Sequence, residues 1–503
     1  MKKILHKISV QINLLISLPI SIPVSALLLS AMLVCSVRPL KAAAYEIPGT
    51  YQIQTDDGTS YAVKTLDHDY DNNTYFSLRD IAMLLKDTEK SFSLEITKNT
   101  VTLIPGGAYT PVGAENTPWE EDEKPEVTLR RNEFKVNEQK VFYYTMISPL
   151  SSGGYDCFMM AADLAMILDM DITVPDAGFL QIHTQTPFSV SPAALEKAGY
   201  FYGVNSVLVG DATTGEVYYA YQSDMSYPIA STSKLMTCLL ALEAVSTGQI
   251  SLDEQVTISE AVQALAVSSD GVLPLTAGEQ ITVQELLTGA LLPSSNECAL
   301  CLAEAIAGSE EAFVQLMSQK AQELGLSQAV FYNSNGLPSY TEDSVPAKRQ
   351  NSMSAEDMFR LVSYLLKVYP QITDITSLEK ADLPSLGIEV SNTNPLLRNL
   401  SGVTGLKTGT TNKAGACLVT SLTAEAAAGA HDLVVIVLGT EDSIERGRVS
   451  GLLARYALHT FYAGMEDAET GMPETENSEQ VSKNLPIHAE AAIDQILRTA
   501  RKN

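Results

Sequence analysis

Three short polar motifs stand in one order in the second half of this chain: Ser231-Thr-Ser-Lys234, Ser294-Ser-Asn296 and Lys407-Thr408-Gly409. Each is weak alone. The chain holds decoys in Ser377-Leu-Glu-Lys380 and Ser482-Lys-Asn484, but these open no apolar helix and lie in the wrong order. Only the set starting at Ser231 has order, context and spacing together, and a fold that uses it must bring a helix start, a loop and a strand to one cleft.

After Pro228, the residues Leu235, Met236, Cys238, Leu239, Leu240, Leu242 and Val245 recur at the three-to-four spacing of a helix with a buried face. Ser231 therefore sits at a helix start, where positions i and i+3 share a face and its hydroxyl meets the amine of Lys234. A serine hydroxyl is a poor nucleophile until a neighbour takes its proton. Lys234 does so only when neutral, a state favoured by burial, by the positive end of the helix and by a second cation, for which Lys407 is the candidate. The N–H of Ser231 is a ready oxyanion donor. The pattern points to a serine nucleophile with a lysine, and no histidine, as its base.

Ser294 and Asn296 precede a second apolar helical run, Cys298 to Ile306, closed by Gly308. There Ser294 would relay a proton to a leaving amine and Asn296 would hydrogen-bond a peptide backbone. Lys407-Thr408-Gly409-Thr410 reads as an edge strand, followed by strands at Leu418 to Leu422 and Leu433 to Leu438. Gly409 lets a ligand backbone come close. Lys407 with the hydroxyls of Thr408 and Thr410 suits a free carboxylate, and hence a peptide C-terminus.

The stretch from about Val204 to Phe461 resembles the serine D-alanyl-D-alanine carboxypeptidases, the low-molecular-mass penicillin-binding proteins. Beyond the three motifs, the likeness takes in the hairpin around Asp211-Ala-Thr-Thr-Gly215, Pro228-Ile-Ala-Ser231, Asn333-Ser-Asn-Gly336-Leu337-Pro338 and Gly402-Val-Thr-Gly405-Leu-Lys407. The resemblance implies Ser231 as nucleophile, Lys234 as general base, Ser294 and Asn296 as the second-motif residues, and Lys407 and Thr408 as carboxylate binders. It implies the N–H of Thr410 as second oxyanion donor and a peptidoglycan stem peptide ending in D-Ala-D-Ala as substrate, opened through an acyl-enzyme. β-Lactam antibiotics would be covalent inhibitors. Two departures are Ser295, where the family usually has glycine or alanine, and Thr410, where many members carry an aromatic residue or histidine.

A β-lactamase shares the nucleophile and the lysine but, in class A, uses an extra glutamate to hydrolyse its acyl-enzyme. Glu304, Glu310, Glu311 and Glu323 follow Asn296 without a Glu-x-x-Leu-Asn setting, so slow release of penicillin is expected. A D,D-endopeptidase or an inactive penicillin-binding module would fit the same three motifs.

Residues 1–44 carry Lys2, Lys3 and Lys7, a long apolar stretch broken by Pro19 and Pro23, then Ala42-Ala43-Ala44. This reads as a secretory signal cleaved after Ala44, or else as an uncleaved N-terminal anchor. The expected location is extracellular, at the cell wall, with no strong membrane anchor after cleavage. The formal charge is −27, and loss of the signal's five Lys and Arg would take it to −32. Such a balance argues against nucleic acid and against binding anionic lipid by charge. Cys157, Cys238, Cys298, Cys301 and Cys417 would remain, an odd number. Cys298 and Cys301 read as buried thiols on an apolar helix rather than a metal or redox pair. Residues 464–503 read as an acidic tail with a short helix near its end.

Residues 45–188 form a different unit with an internal repeat. Tyr75-Phe-Ser-Leu-Arg-Asp80-Ile-Ala-Met-Leu-Leu85 aligns with Phe158-Met-Met-Ala-Ala-Asp163-Leu-Ala-Met-Ile-Leu168, each copy a strand leading into a short helix with a further strand at Val101 to Ile104 or Phe179 to His183. The region resembles the N-terminal domain named after copper amine oxidases, chiefly in its Arg79-Asp80-Ile-Ala pattern. His68 and His183 are isolated, so no metal and no cofactor is expected. Its role would be a spacer or wall contact, or else a packing partner for the catalytic domain. Glu120-Glu-Asp-Glu123 beside Trp119 reads as a solvated loop. The expected fold is α/β in the broad sense: a small N-terminal α+β domain, a linker near Ser189 to Lys197, and a β-lactamase-like DD-peptidase domain over 198–463 whose antiparallel sheet is flanked by helices.

Overall fold

The computed structural model describes residues 46–470 apart from 69–72, 120–124, 126, 138, 174–177, 190, 198, 341–347, 427 and 428. The expected signal segment, the loop Glu120 to Glu123 and the chain beyond Thr470 lie outside the described residues.

The C-terminal half is organised by a five-stranded antiparallel sheet in the order Val217–Tyr221, Ser206–Asp211, Gly429–Thr440, Gly415–Ala426, Val403–Thr411. Successive strand residues face opposite sides. Leu208, Val434, Ile436 and Leu438 thus join one apolar cluster, while Val207, Val209, Leu433, Val435 and Val437 join another. Both faces are covered, which is why Leu433 to Leu438 is apolar without alternation. The strand of Lys407 lies at the sheet's edge, as the sequence suggested.

The first cluster buries the helix Lys234–Ser246 among the helices Val283–Leu291, Asn296–Ala307 and Ala355–Val368. Ten of that helix's residues are buried, so it is lined all round by neighbours rather than along one stripe. Val283–Leu291 starts at a capping box between Thr282 and Glu285. Asn296–Ala307 is capped by Ser295, whose Oγ accepts from the N–H of Cys298 at 3.0 Å, and ends at Gly308 with φ 81°. Capping gives the fully buried Ser295 a structural reason to replace a smaller residue. The five cysteines from Cys157 to Cys417 are free and buried.

The second cluster joins the sheet's other face to the last helix, Ser443–Thr470, through Val449, Leu452, Leu453 and Ala457, and continues into the N-terminal region. That helix runs past Gly464, where the acidic tail was expected to begin. No helix among the described residues is long and apolar enough to cross a membrane.

The N-terminal region is one ten-stranded sheet in which both copies of the repeat are built alike. Glu46–Thr55, Ser60–His68 and Asn73–Ser77 form an antiparallel run, followed by the helix Leu78–Leu85 and the hairpin Phe92–Ile96 with Thr100–Pro105. Arg130–Val136, Gln139–Pro149 and Tyr155–Met160 repeat the run, followed by the helix Ala161–Leu168 and the hairpin Asp171–Thr173 with Phe179–His183. The copies meet antiparallel between Asn73–Ser77 and Tyr155–Met160. Each hairpin then pairs in parallel with the first strand of the other copy, Thr100–Pro105 on Arg130–Val136 and Phe179–His183 on Glu46–Thr55. Trp119 stacks on Phe158 at 5.8 Å and donates from Nε1 to the carbonyl of Gly49 at 3.0 Å.

The equivalent aspartates of the repeat serve differently. Buried Asp80 accepts from the N–H groups of Lys64 at 2.8 Å and Asn116 at 2.9 Å, and burial, reinforced by the charge of Asp156, pushes its carboxyl up to about 6. Asp163, also buried, lies 3.7 Å from Arg448 of the last helix. Burial pushes its carboxyl up to about 7 against the pull of that guanidinium. Arg448 is itself buried against Tyr200 and held by Glu445 at 2.6 Å, and the Tyr200 hydroxyl accepts from the N–H of Ala162 at 3.1 Å, capping the helix of Asp163. The expected linker contains the short helix Pro192–Lys197 with Leu195 buried.

Removing one partner of a buried pair strands the other charge, so Arg448→Met is expected to destabilise the protein by about 3 kcal/mol. Adding Asp163→Leu should restore most of that loss. Urea midpoints of the parent, the single and the double variant measure both effects.

Candidate active site

Ser231 lies in a single 3₁₀ turn, Ala230–Ser233, and Lys234 opens the α-helix that follows. Lys234 is fully buried, with Nζ 2.9 Å from Ser231 Oγ, 2.8 Å from Asn296 Oδ1 and 2.9 Å from the carbonyl of Asn335. Two of these neighbours are carbonyl oxygens, which only accept, and the third is a hydroxyl, which also donates. A neutral amine gives its two hydrogens to Asn296 and Asn335 and turns its lone pair to the O–H of Ser231. The geometry suits a neutral amine that accepts the proton of Ser231.

Burial pushes the Lys234 amine down to about 7, and the nearby carboxylate of Glu297 opposes that shift. Burial, rather than the second cation that the sequence suggested, is thus the cause of the lowering. Lys407 is also buried, and burial followed by the charge of Lys234 holds it well below the usual lysine range. Two buried amines that repel one another share less than two protons easily.

The turn is gripped from two sides by glycines. A Cβ on Gly336, where φ is 86°, would come within 2.0 Å of the carbonyl of Ala230. One on Gly409 would lie 2.9 Å from the Ser231 nitrogen. The close approach that requires Gly409 is therefore made by the protein's own turn at Ser231, where the sequence suggested a ligand backbone.

The second motif joins both lysines. Asn296 accepts from Lys234 through Oδ1 and donates from Nδ2 to the carbonyl of Asp270 at 2.8 Å, so its first contacts are with the protein rather than with a peptide. Ser294, at φ 69°, accepts from Lys407 Nζ at 2.7 Å. Lys407 also donates to the carbonyl of Thr408 at 2.8 Å, and the Thr408 hydroxyl pairs with that of Thr393 at 2.6 Å. Thr410 is exposed, and its Oγ1 accepts from Nη1 of Arg446 at 3.1 Å. The structure brings all three motifs together.

Three groups here escaped sequence reasoning. Asn335 lies in a segment singled out only by resemblance, and its contact is made by the backbone. Glu297 immediately follows the second motif; fully buried, it accepts through Oε1 from the N–H groups of Val272 and Leu273, so with Asn296 it pins the segment 270–273 beside the cleft. Arg446 comes from the first turn of the last helix, and no sequence signal ties it to Thr410. Of the glutamates weighed as hydrolytic residues, Glu310 accepts from Ser334 and Glu323 pairs with Lys320, while Ser231 Oγ is hydrogen-bonded by Lys234.

Residues 202–442 match the family model described as D-alanyl-D-alanine carboxypeptidase. The carboxypeptidase DacF of Bacillus subtilis is 35% identical over 51% of this chain and 64% of its own length. The D-alanyl-D-alanine endopeptidase of Pseudomonas aeruginosa is 32% identical over 48% of this chain and 74% of its own. This chain belongs to the D-alanyl-D-alanine carboxypeptidase family. It spans less than two thirds of the Bacillus subtilis family member. Among solved structures, the peptidoglycan synthesis regulatory factor PBP3 of Streptococcus pneumoniae is 31% identical over 51% of this chain and 73% of its own, with a TM-score of 0.47. Penicillin-binding protein D2 of Listeria monocytogenes, solved in an ampicillin-bound form, is 27% identical over 51% and 97%, with a TM-score of 0.43.

A serine hydroxyl whose proton must pass to a lysine is acylated only while that amine is neutral. The rate of covalent reaction with a penicillin should therefore rise with pH along a limb near 7. The carboxylate of Glu297 raises the lysine's affinity for its proton, so Glu297→Gln should move that limb to lower pH. Acylation rates between pH 5 and 9 for both proteins test the value and the direction.

Proposed function

We propose that the chain is an exported serine D-alanyl-D-alanine carboxypeptidase that removes the terminal D-Ala of peptidoglycan stem peptides and is inhibited by β-lactams. The observation that carries the reading is the buried Lys234 amine, 2.9 Å from Ser231 Oγ and lowered to about 7.

In this reading the Ser231 hydroxyl attacks the carbonyl of the penultimate D-Ala while its proton passes to Lys234. The N–H groups of Ser231 and Thr410 hold the oxyanion. The proton reaches the leaving D-Ala amine through Ser294, and water then releases the acyl group from Ser231. Lys407, Thr408, Thr410 and Gly409 line the side on which the terminal carboxylate sits, and Arg446 adds a guanidinium behind Thr410. A bound carboxylate favours a charged Lys407, and the repulsion between the two lysines then favours a neutral Lys234. Substrate binding and activation of the base are coupled in this way.

Relatives named as endopeptidases make D,D-endopeptidase activity the second reading. It keeps the same acylation and differs in what lies beyond the scissile bond. A β-lactamase finds less support, because among the described residues no carboxylate is hydrogen-bonded to Ser231 Oγ.

Residues 45–188 are read as an accessory domain resembling the N-terminal domain named after copper amine oxidases. The Asp163 and Arg448 pair and the shared apolar cluster favour the packing-partner role over a free spacer. His183 is hydrogen-bonded to Asp56 and Thr173. The location that follows from these assignments is the bacterial cell wall.

The chain from Tyr45 onward should release free D-alanine from a peptide ending in Lys-D-Ala-D-Ala, and Ser231→Ala should abolish release. Cleavage of cross-linked muropeptide dimers without release from the monomer would favour the endopeptidase. Arg446→Met should reduce the preference for a free over an amidated C-terminus, read as the ratio of kcat/KM values.

A further inference from the structure

The last helix, the loop before the Lys407 strand and the N-terminal sheet enclose a cavity of about 490 Å³, apart from the cleft of Ser231. Five cations line it, Arg131, Lys140, Arg446, Arg448 and Arg455, with no Asp or Glu among the described lining residues. In a chain with a formal charge of −27 such a lining is unexpected.

Three of the cations are neutralised from outside the cavity: Lys140 by Glu133 at 2.5 Å, Arg448 by Glu445 at 2.6 Å and Arg455 by Asp169 at 3.9 Å. Two form no ion pair among the described residues, and Asp442 acts on Arg446 only through its charge. Arg131 stacks on the ring of Phe142 at 3.9 Å. Arg446 is more than nine-tenths buried and uses Nη1 on Thr410, while its Nε has no hydrogen-bond partner among the described residues. A buried guanidinium N–H without an acceptor is costly, and the cavity it lines is large enough to hold one. Apolar side chains, Phe142 first among them, make up much of the remaining wall.

We propose that this cavity binds a small organic oxyanion, a phosphate or carboxylate on an apolar body, with Arg131 and Arg446 as its charge partners and Phe142 against its apolar part. Because Arg446 also donates to Thr410, occupation reaches the carboxylate end of the active site. The site is an effector pocket between the accessory sheet and the catalytic domain. Its binding does not rest on the carboxypeptidase reading, and its coupling rests only on acylation of Ser231.

Calorimetric titration of the full chain with phenyl phosphate, benzoate and uncharged phenol tests the binding. Saturable one-to-one binding of either anion, absent with phenol and weakened by salt, is expected, and the tighter anion assigns the head group. Arg131→Glu should weaken binding by about tenfold or more, as for loss of one charge-assisted hydrogen bond, with Arg131→Met between it and the parent. Circular dichroism melts keep folding separate, since Arg131 is exposed on its strand. Equal binding of phenol, no binding of either anion, or full binding to a folded Arg131→Glu protein would overturn the proposal. Penicillin acylation in the presence of the bound anion should change rate in the parent and not in Arg131→Glu; an unchanged rate in the parent would overturn the coupling to Thr410.

Discussion

The site depends on keeping one amine out of water. Lys234 has no route to solvent, two carbonyl acceptors and one hydroxyl for neighbours, and an amine lowered to about 7. Burial of a lysine ordinarily costs stability, because the charged form loses its hydration. Here the neutral form recovers its hydrogen bonds from Asn296 and Asn335 and leaves its lone pair for Ser231. The same desolvation that makes the residue expensive to bury makes it a base near neutrality.

The surrounding architecture serves that condition. The helix of Lys234 lies among other helices against one face of the sheet, and Gly336 and Gly409 let two backbones close on its first turn more tightly than any side chain would permit. The sheet's other face is covered by the last helix, which brings Arg446 behind Thr410 and Arg448 against Asp163 of the N-terminal region. One helix therefore touches both the third motif and the accessory sheet. The N-terminal region thereby abuts the C-terminal half through a continuous apolar cluster.

Much of the site was legible because its chemistry is written in local patterns. Ser231 with Lys234 is an i, i+3 pair, the apolar run after it marks a buried helix, and the runs after Lys407 mark strands. Those patterns placed the motifs on the right elements and the Lys407 strand at the sheet edge. They did not show which residue closes on which. Gly409 was read as room for a ligand and proves to be room for the Ser231 backbone. The Asn296 amide was assigned to a peptide and first holds Lys234 and the carbonyl of Asp270. Arg446 and the Asn335 carbonyl act through tertiary contacts with no sequence periodicity. In the N-terminal region the repeat revealed strand, helix and strand, but not that each hairpin pairs with the other copy's first strand, a choice made only by the assembled sheet.

The central claim is the state of one amine, and direct titration of it is the most telling measurement. Protein labelled with ¹³C and ¹⁵N at lysine, with the Lys234 signal assigned by its loss in Lys234→Arg, gives the protonation of Nζ as a function of pH. The account predicts a midpoint near 7. A midpoint close to the ordinary 10.5 would leave Lys234 charged at neutral pH and contradict the role proposed for it as the base for Ser231.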